Sequence, residues 1–440
     1  MRNKPLYPVA IAFLSLVCSC QKAGSPATPT ISNITITSLT PTHGPYNTID
    51  TLTGKGFDQL SPLDSVDLNG QKVTILSHSD QQIIFQIPSL AGTGHIDVWS
   101  KGTEYEGPVF TYDSVLLVTT VAGSSTDFGE VDGKGLDARF YRPWGIAVDH
   151  AGNIYVADMG GSCIRKIDTG ANVTTLAGPQ TYEEAYVDGT GAAARFALPL
   201  GLCIDQQGFL YVADQNNYRV RKVSPSGVVT TFAGTLWDGI PKDGSTDGDA
   251  STATFDTPWG VVCDSAGNIF VADIRNNKIR EITPSGIVSS FAGGDYYHGG
   301  FADGQGSAAQ FLGPTALTID PHGNLFVVDA TAQSIRKVTP DGTVSTLLGP
   351  AFHDPTNPDY LLAIGAIAAD KSGNIYFTAF AGILEMTPTG QIIRYAVGGV
   401  GELDGPVSVA TYREISGMTF DDKGTLYFTD NNRVRKIAWQ

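Results

Sequence analysis

Residues 143–178 read PWGIAVDHAGNIYVADMGGSCIRKIDTGANVTTLAG, and near-copies of this stretch follow along the chain. The copies are PLGLCIDQQGFLYVADQNNYRVRKVSPSGVVTTFAG at 199–234 and PWGVVCDSAGNIFVADIRNNKIREITPSGIVSSFAG at 258–293, with a fourth at 314–349. Counted from the prolines that open the copies, the period is 56, 59 and 56 residues. Each copy holds four strand-sized apolar runs joined by turns, which is typical of one β-propeller blade.

Two weaker copies follow, and together they set the number of blades. A fifth unit around 365–398 is degraded, and a sixth around 417–437 stops after its third strand. The missing fourth strand stands at the front of the repeat region as VTTVAG, residues 118–123. This strand would complete the last blade and close the ring, which removes the exposed sheet edge. The sequence therefore predicts a six-bladed propeller over residues 115–440, closed by strand 118–123.

The amino-acid pattern shared by the repeats resembles that of a known repeat family. G-N-[I/L]-[Y/F]-V-[A/V]-D, followed by a run like I-R-K, resembles the NHL repeat. This resemblance implies a six-bladed β-propeller. NHL propellers elsewhere often act as protein–protein scaffolds.

A different all-β pattern precedes the repeats. Residues 31–113 alternate short apolar runs with Gly- and Pro-bearing turns, as in TLTGKGF, VDLNGQKV and IIFQIP, and no segment has a helical period. These landmarks resemble an IPT/TIG domain. The resemblance implies an immunoglobulin-like β-sandwich that serves as a spacer or interaction module.

The first thirty residues have the features of an export signal. Arg2 and Lys4 precede an apolar stretch over 6–17, which is too short to span a bilayer. It ends in VCSC, which resembles a bacterial lipobox with Cys20 as the acylated residue. We therefore expect a lipoprotein signal peptide at 1–19, a polar tether at 20–30, and a lipid anchor as the only contact with a membrane. The expected location is the bacterial cell envelope, at the outer membrane on its periplasmic or surface face. An ordinary secretory signal is the alternative.

Composition limits the partners. The chain has 440 residues and a formal net charge of −16, which argues against sequence-independent nucleic-acid binding because that needs a basic face. Five cysteines are too few for a disulfide scaffold. Cys163, Cys203 and Cys263 stand in apolar runs and are interpreted as buried small hydrophobic residues.

The repeat pattern also indicates where a site would lie. In a four-stranded blade the second turn and the link to the next blade share one end of the ring, here called the link end. The other two turns share the opposite end, here called the turn end. The links run to about twenty residues while the turns are short, so the link end is the candidate face, since binding residues concentrate on loops held by a rigid scaffold.

Aromatic and basic residues at the link end are the candidate ligand contacts. Trp144 and Trp259 share one repeat position, at the start of the innermost strand, and would form a platform for a sugar ring or an apolar ligand. Packing between blades is the alternative role for these two residues. Further candidates come from the links and from the residue before the first tryptophan: Trp237, Tyr296, Tyr297 and Arg142.

A ring of Asp and Arg residues looks catalytic but is interpreted as structural. The fifth unit has lost both members together and carries Ala379 and Leu384, which suggests that each Asp serves its Arg within one blade. The pairs elsewhere are Asp158–Arg165, Asp214–Arg221, Asp273–Arg280, Asp329–Arg336 and Asp430–Arg435.

No catalytic, metal or cofactor motif is evident. The chain lacks the fingerprints of serine hydrolases, zinc proteases and nucleotide-binding proteins. Only His298 and His353 fall in links, which is too few for a three-histidine zinc site. The acidic segment 243–249 has Ca²⁺ binding as an alternative to a solvated loop.

Three functions remain open. The first is a non-catalytic binding module for a glycan or another nutrient. The second is a protein–protein scaffold, which predicts an exposed apolar patch. The third is a metal-dependent propeller hydrolase or lyase, which needs titratable residues that converge on the central mouth. Asp303, His298 and Glu402 are its scattered candidates.

Overall fold

The computed structural model describes residues 34–439 except 45–47, 60–64, 89–91, 101, 114, 180–182, 295–298, 350–352, 355–356, 362–363, 380–381 and 398. The chain folds as two compact units, one ending at Asp113 and the other beginning at residue 114. Cys20 and the signal and tether segments lie outside the described residues. No helix within those described ranges is long and apolar enough to cross a membrane.

The first unit is a sandwich of two β-sheets. One sheet contains, in spatial order, Thr35–Thr40, Ile49–Lys55, Gln82–Gln86 and Thr74–His78; the other contains His43–Gly44, Thr103–Tyr112, Gly94–Ser100, Ser65–Leu68 and Gln71–Lys72. Alternate residues point inward, as the period of two in a strand requires. Leu52, Val66, Phe85 and Val98 are fully buried between the sheets. The predicted immunoglobulin-like sandwich is confirmed.

Asp50 is an acidic residue in this apolar core. It is fully buried on the inward face of Ile49–Lys55, two residues before Leu52. The backbone N–H of Thr51 donates to Oδ1 at 2.7 Å, while Oδ2 has no hydrogen-bond partner among the described residues. Burial raises the pKa of Asp50 to about 6, and the backbone N–H groups of Thr51 and Thr40 oppose this rise only in part.

Asp50→Asn should stabilise the sandwich at neutral pH. A carboxyl whose pKa is raised on folding favours the protonated form, so its stability contribution is complete below the unfolded pKa and is lost as pH rises through about 6. In calorimetric unfolding of the full chain at a series of pH values, the unfolding free energy of Asp50→Asn should exceed that of the wild type by at most about 3 kcal/mol above that pH. The exposed carboxylate variant Glu104→Gln is the control. An unchanged pH profile in Asp50→Asn would contradict this account.

In the described part of the second unit, six sheets of four or five strands form the six blades of a propeller. Blades 1 to 3 contain Pro143–Val148, Ile154–Asp158, Cys163–Ile167 and Asn172–Ala177; Pro199–Ile204, Leu210–Asp214, Arg219–Val223 and Val228–Ala233; and Pro258–Cys263, Ile269–Asp273, Lys278–Ile282 and Ile287–Ala292. Blades 4 and 5 contain Pro314–Ile319, Leu325–Asp329, Ser334–Val338 and Thr343–Leu348; and Ile367–Ala369, Ile375–Ala379, Gly382–Met386 and Ile392–Val397. Blade 6 contains Ile415–Phe420, Leu426–Asp430, Arg433–Trp439 and Leu116–Gly123.

The ring closes through the strand that precedes the repeats. Leu116–Gly123 pairs antiparallel with Arg433–Trp439 and so supplies the outer strand of blade 6. Each innermost strand contacts the innermost strands of its two neighbouring blades, and the strand of blade 6 contacts that of blade 1. The six-bladed architecture expected from the repeats is therefore present.

Glycines explain how the inner strands approach one another so closely. Gly145, Gly201 and Gly260 follow the first two residues of their inner strands. A Cβ added at Gly201 would lie 2.4 Å from the carbonyl oxygen of Trp259, and one at Gly145 would lie 2.3 Å from that of Leu200. Neighbouring inner strands therefore touch backbone to backbone at this level, which any side chain would prevent.

At the turn end each inner strand is followed by an aspartate that orders the next turn. In blade 1, Asp149 Oδ1 accepts the backbone N–H of Asn153 at 2.8 Å and Oδ2 accepts its side-chain amide at 2.8 Å. The hydroxyl of Tyr155 also donates to Oδ2. These turn aspartates therefore stabilise the turns, as Asx motifs do. The corresponding residues of the other blades are Asp205, Asp264, Asp320, Asp370 and Asp421.

Candidate functional site

Trp144 and Trp259 meet over the central channel at the link end. Their ring centroids are 5.5 Å apart and the ring planes are nearly perpendicular, at 78°. Both side chains are partly exposed, whereas Leu200, which has the same repeat position in blade 2, is buried. A cavity of about 70 Å³ lies among these inner-strand residues. The two indoles therefore pack on each other between blades 1 and 3, and part of each side chain remains exposed.

Arg142 lies beside this pair of indoles, in a backbone corner that recurs around the ring. Its φ is +58°, and its backbone N–H donates to Asn432 Oδ1 at 3.2 Å, a residue of blade 6. Leu198 and Thr257, at the same position in blades 2 and 3, also have positive φ. The left-handed conformation is unfavourable for such residues. Because the positive φ recurs at this position in three blades, the backbone corner belongs to the scaffold. The side chain of Arg142 is exposed at this corner.

The long link between blades 2 and 3 carries Trp237. This residue belongs to a short hairpin formed by Leu236–Trp237 and Ile240–Pro241. The hydroxyl of Tyr186, from the preceding link, donates to the carbonyl oxygen of Gly239 in the hairpin turn. Two links are thus tied together, and Tyr186 is a contact that the sequence did not single out. Tyr296, Tyr297 and His298 lie outside the described residues, so their predicted roles stay predictions.

The Asp–Arg ring is buried inside the blades and does not line the channel. In blade 2 Arg221 and Asp214 are both fully buried, and Nη1 donates to Oδ2 at 2.7 Å. The other carboxylate oxygen accepts the backbone N–H of Ala197 at 2.7 Å. Burial raises the pKa of Asp214, and the charge of Arg221 opposes that rise. The structural interpretation of these pairs agrees with this geometry in all five blades that carry them, with Nη1–Oδ2 distances of 2.6 to 3.5 Å.

Each arginine also binds a second aspartate, from the Asp-Gly sequence of the link. Arg221 Nη2 donates to Asp188 Oδ1 at 2.6 Å, and Thr231 donates its backbone N–H and hydroxyl to the same carboxylate. We call this Asp–Arg–Asp unit an arginine stitch. It holds the long link that precedes a blade onto that blade's outer strands. The second aspartates of the other stitches are Asp132, Asp247, Asp303 and Asp404.

Several of the carboxylates considered for metal binding or catalysis already have partners in the structure. Asp247, in the acidic segment 243–249, binds Arg280 at 2.5 Å, and Asp303 binds Arg336 at 2.8 Å. Glu402, in the link before blade 6, accepts from the side-chain amide of Asn431 at 2.9 Å. These groups therefore belong to separate blades. No group of three or more metal-ligating residues is found among the residues that the structure describes.

A wide cavity lies at the opposite end of the propeller from the expected face. A bowl of about 700 Å³ is formed by the turns that follow the six inner strands. It shares Ile204 and Cys263 with a further cavity of about 240 Å³ inside the channel. The channel is thus open at the turn end and obstructed by indoles at the link end. The lengths of the turns in the sequence did not predict which end of the channel is open, because the width of each opening depends on the side chains of the inner strands.

The rim of the bowl carries polar side chains that link neighbouring blades. Asp422 of blade 6 accepts hydrogen bonds from His150 of blade 1 at 2.6 Å and Lys371 of blade 5 at 2.8 Å. The hydrogen bonds from His150 and Lys371 lower the pKa of Asp422 to about 2. All three side chains are exposed, so this bridge contributes little to stability.

Family comparisons agree with the two units. Residues 35–112 match the IPT/TIG domain, and residues 140–167 and 196–223 match the NHL repeat. The chain therefore contains an IPT/TIG domain and, after it, NHL repeats in the propeller.

Individual relatives are more distant. The chain is 27% identical over 230 residues to Protein SUPPRESSOR OF QUENCHING 1 of Arabidopsis thaliana, covering 50% of this chain and 22% of that protein. It is 25% identical over 348 residues to NHL repeat-containing protein 2 of Gallus gallus, covering 67% and 46%. It thus spans less than half of either relative. Among solved structures, an auxiliary nutrient binding protein from Bacteroides ovatus is 15% identical, with a TM-score of 0.44 over 93% of this chain and 99% of that one.

Proposed function

We propose that the chain is a non-catalytic binding module whose link-end face holds a glycan. The Trp144–Trp259 pair carries the proposal. Two partly exposed indoles at the centre of a rigid ring offer apolar faces and edges on which a sugar ring stacks, and their N–H groups are hydrogen-bond donors. The inner strands that hold the pair touch backbone to backbone, so little order has to be gained on binding.

The surroundings of the pair suit a neutral or acidic sugar chain. Arg142 is exposed beside the indoles and is available for a carboxylate or hydroxyl of the ligand. The cavity among the inner strands is only about 70 Å³, so a ligand would lie across this face rather than enter it. Trp237, Tyr296 and Tyr297 are proposed as further contacts from the links. The carboxylates of the arginine stitches are already bound, which is why we propose binding without catalysis.

Affinity electrophoresis of the full chain in gels that contain single polysaccharides tests this function. The expected result is retardation by at least one glycan, with the migration of the chain unchanged in gels without polysaccharide. Free oligosaccharide of the same glycan is added as a competitor. If it does not reverse the retardation, the binding is not to a specific site.

A protein partner is the second candidate, and one observation favours it. Phe128 and Leu136, in the link before blade 1, and Val400 and Leu403, in the link before blade 6, are exposed by 64 to 75%. Both links contact the strand Leu116–Gly123, one through Gly135–Asp137 and the other through Gly405–Pro406. Exposed apolar groups of this kind mark interaction surfaces. Failure of every polysaccharide to retard the chain would favour this second function.

We also propose that the protein is a lipoprotein of the bacterial cell envelope, anchored through Cys20. The support is the apolar stretch over 6–17 and the VCSC sequence that ends it. Several acyl chains on one residue would hold the chain at a membrane, since each buried methylene contributes about 0.8 kcal/mol. Metabolic labelling with a palmitate analogue should mark the wild-type chain and not Cys20→Ala. Equal labelling of both would overturn the anchor.

A further inference from the structure

We propose that Cys203 and Cys263 are a disulfide-forming dithiol in the wall of the central channel, which cross-links the inner strands of blades 2 and 3 when an external disulfide is available. The two residues occupy different repeat positions. Cys203 aligns with Ala147 and Val262 of the neighbouring blades, and Cys263 aligns with Val148 and Ile204. The repeat pattern therefore does not require either cysteine, and their meeting depends on the packing of two blades.

The backbone brings the two thiols together. The inner strands Pro199–Ile204 and Pro258–Cys263 are neighbours, and a Cβ at Gly201 would lie 2.8 Å from the Cα of Gly260. Two residues beyond Gly201 stands Cys203, and the Cys263 thiol donates a hydrogen bond of 3.1 Å to the carbonyl oxygen of the next residue, Ile204. Both side chains pack in the same apolar cluster between blades 2 and 3. Thiols held in one cluster between two touching strands need little rearrangement to form an S–S bond.

The two thiols differ in access. Cys263 lines both the bowl of about 700 Å³ and the inner cavity, whereas Cys203 lines only the inner cavity and is 8% exposed. Burial, followed by the contact with Cys263, raises the pKa of the Cys203 thiol. A small disulfide that enters the bowl therefore meets Cys263 first. Cys203 is then positioned to attack the mixed disulfide that forms on Cys263.

The chemistry is two thiol–disulfide exchanges. The thiolate of Cys263 attacks one sulfur of a small disulfide such as oxidised glutathione, which forms a mixed disulfide and releases one small thiol. The sulfur of Cys203 then attacks the Cys263 sulfur, its proton is lost, and the second small thiol leaves. One S–S bond is broken and one is formed. The protein gives up two electrons and two protons, and the small disulfide takes up both.

Peptide mass spectrometry of the full chain after incubation with oxidised glutathione tests this assignment. The expected product is a peptide pair cross-linked through Cys203 and Cys263, lighter than the reduced pair by two hydrogen atoms. Both thiols should stop reacting with maleimide at the same time. In Cys203→Ser the glutathione should remain on Cys263. In Cys263→Ser the thiol of Cys203 should stay reduced, because it faces only the inner cavity.

Cys163 is the internal control. It is fully buried in blade 1, outside the cluster that holds Cys203 and Cys263, and burial raises the pKa of its thiol. It should remain reactive to maleimide only after denaturation, with or without the oxidant. Accumulation of a mixed disulfide on Cys263 of the wild-type chain, a cross-link to Cys163, or two unmodified channel thiols would each overturn the proposal.

Discussion

Arg221→Leu should destabilise the propeller by about 3 to 5 kcal/mol, which is the usual cost of removing one partner from a buried ion pair. The substitution leaves Asp214 fully buried with no cation, and it removes the hydrogen bonds that Arg221 donates to Asp188 and to the carbonyl oxygens of Arg195 and Val187. The link before blade 2 thereby loses its hydrogen bonds to Arg221 and keeps those between Asp188 and Thr231. Urea-induced unfolding of the full chain measures this loss.

Blade 5 shows how the cost is avoided. It carries Ala379 and Leu384 where blade 2 carries Asp214 and Arg221, and Leu384 is 2% exposed in an apolar cluster. The double variant Asp214→Ala, Arg221→Leu copies this arrangement. It should lose much less stability than the sum of its two single variants, because no uncompensated charge remains buried.

Acidic conditions should reduce the penalty of the single variant. Without Arg221, only the hydrogen bonds from Asn217 and Ala197 still oppose the effect of burial, so the pKa of Asp214 rises further on folding. A carboxyl with a raised folded-state pKa loses stability as pH rises, so Arg221→Leu should be closer to wild type at about pH 5 than at about pH 8. Additive single-variant effects, or a penalty that does not depend on pH, would contradict the structural role of the pair.

Replacing both Trp144 and Trp259 with alanine should weaken glycan binding at least about a hundredfold, since each buried aromatic anchor of an interface typically contributes about 2 kcal/mol or more. The substitution removes the central apolar surface and opens the link end of the channel to solvent. Trp144→Phe, Trp259→Phe keeps two aromatic rings and should retain part of the affinity. Trp439→Ala is the matched control, because Trp439 is 59% exposed on the last strand of blade 6.

The fold could be predicted from the sequence because the blade pattern is repeated several times along the chain. Copies of one apolar pattern indicate one unit of structure, and the displaced strand at 118–123 indicates how the ring closes, through the pairing of Val118 with Ile437. The Asp–Arg pairs could also be assigned to structure, because Ala379 and Leu384 replace both members in blade 5. Such conclusions need only comparison between copies.

The details of the site could not be predicted in the same way. The second aspartate of each stitch, such as Asp188, lies 33 residues before its arginine, and its Asp-Gly sequence indicates only a turn. The contact between Trp144 and Trp259 joins blades 1 and 3 across the channel. The proximity of Cys203 and Cys263 joins two repeat positions that carry no shared pattern. Each of these depends on how neighbouring blades pack.

The most direct test of the proposed function is affinity electrophoresis in a gel that contains the polysaccharide most strongly bound. Three chains are compared: the wild type, the double variant in which Trp144 and Trp259 are both alanine, and the control Trp439→Ala. Glycan binding on the link-end face predicts that the wild type and Trp439→Ala are retarded equally and that the double variant migrates as in a gel without polysaccharide. Far-UV circular dichroism shows whether the double variant is folded. Undiminished retardation of a folded double variant would contradict the assignment of the site.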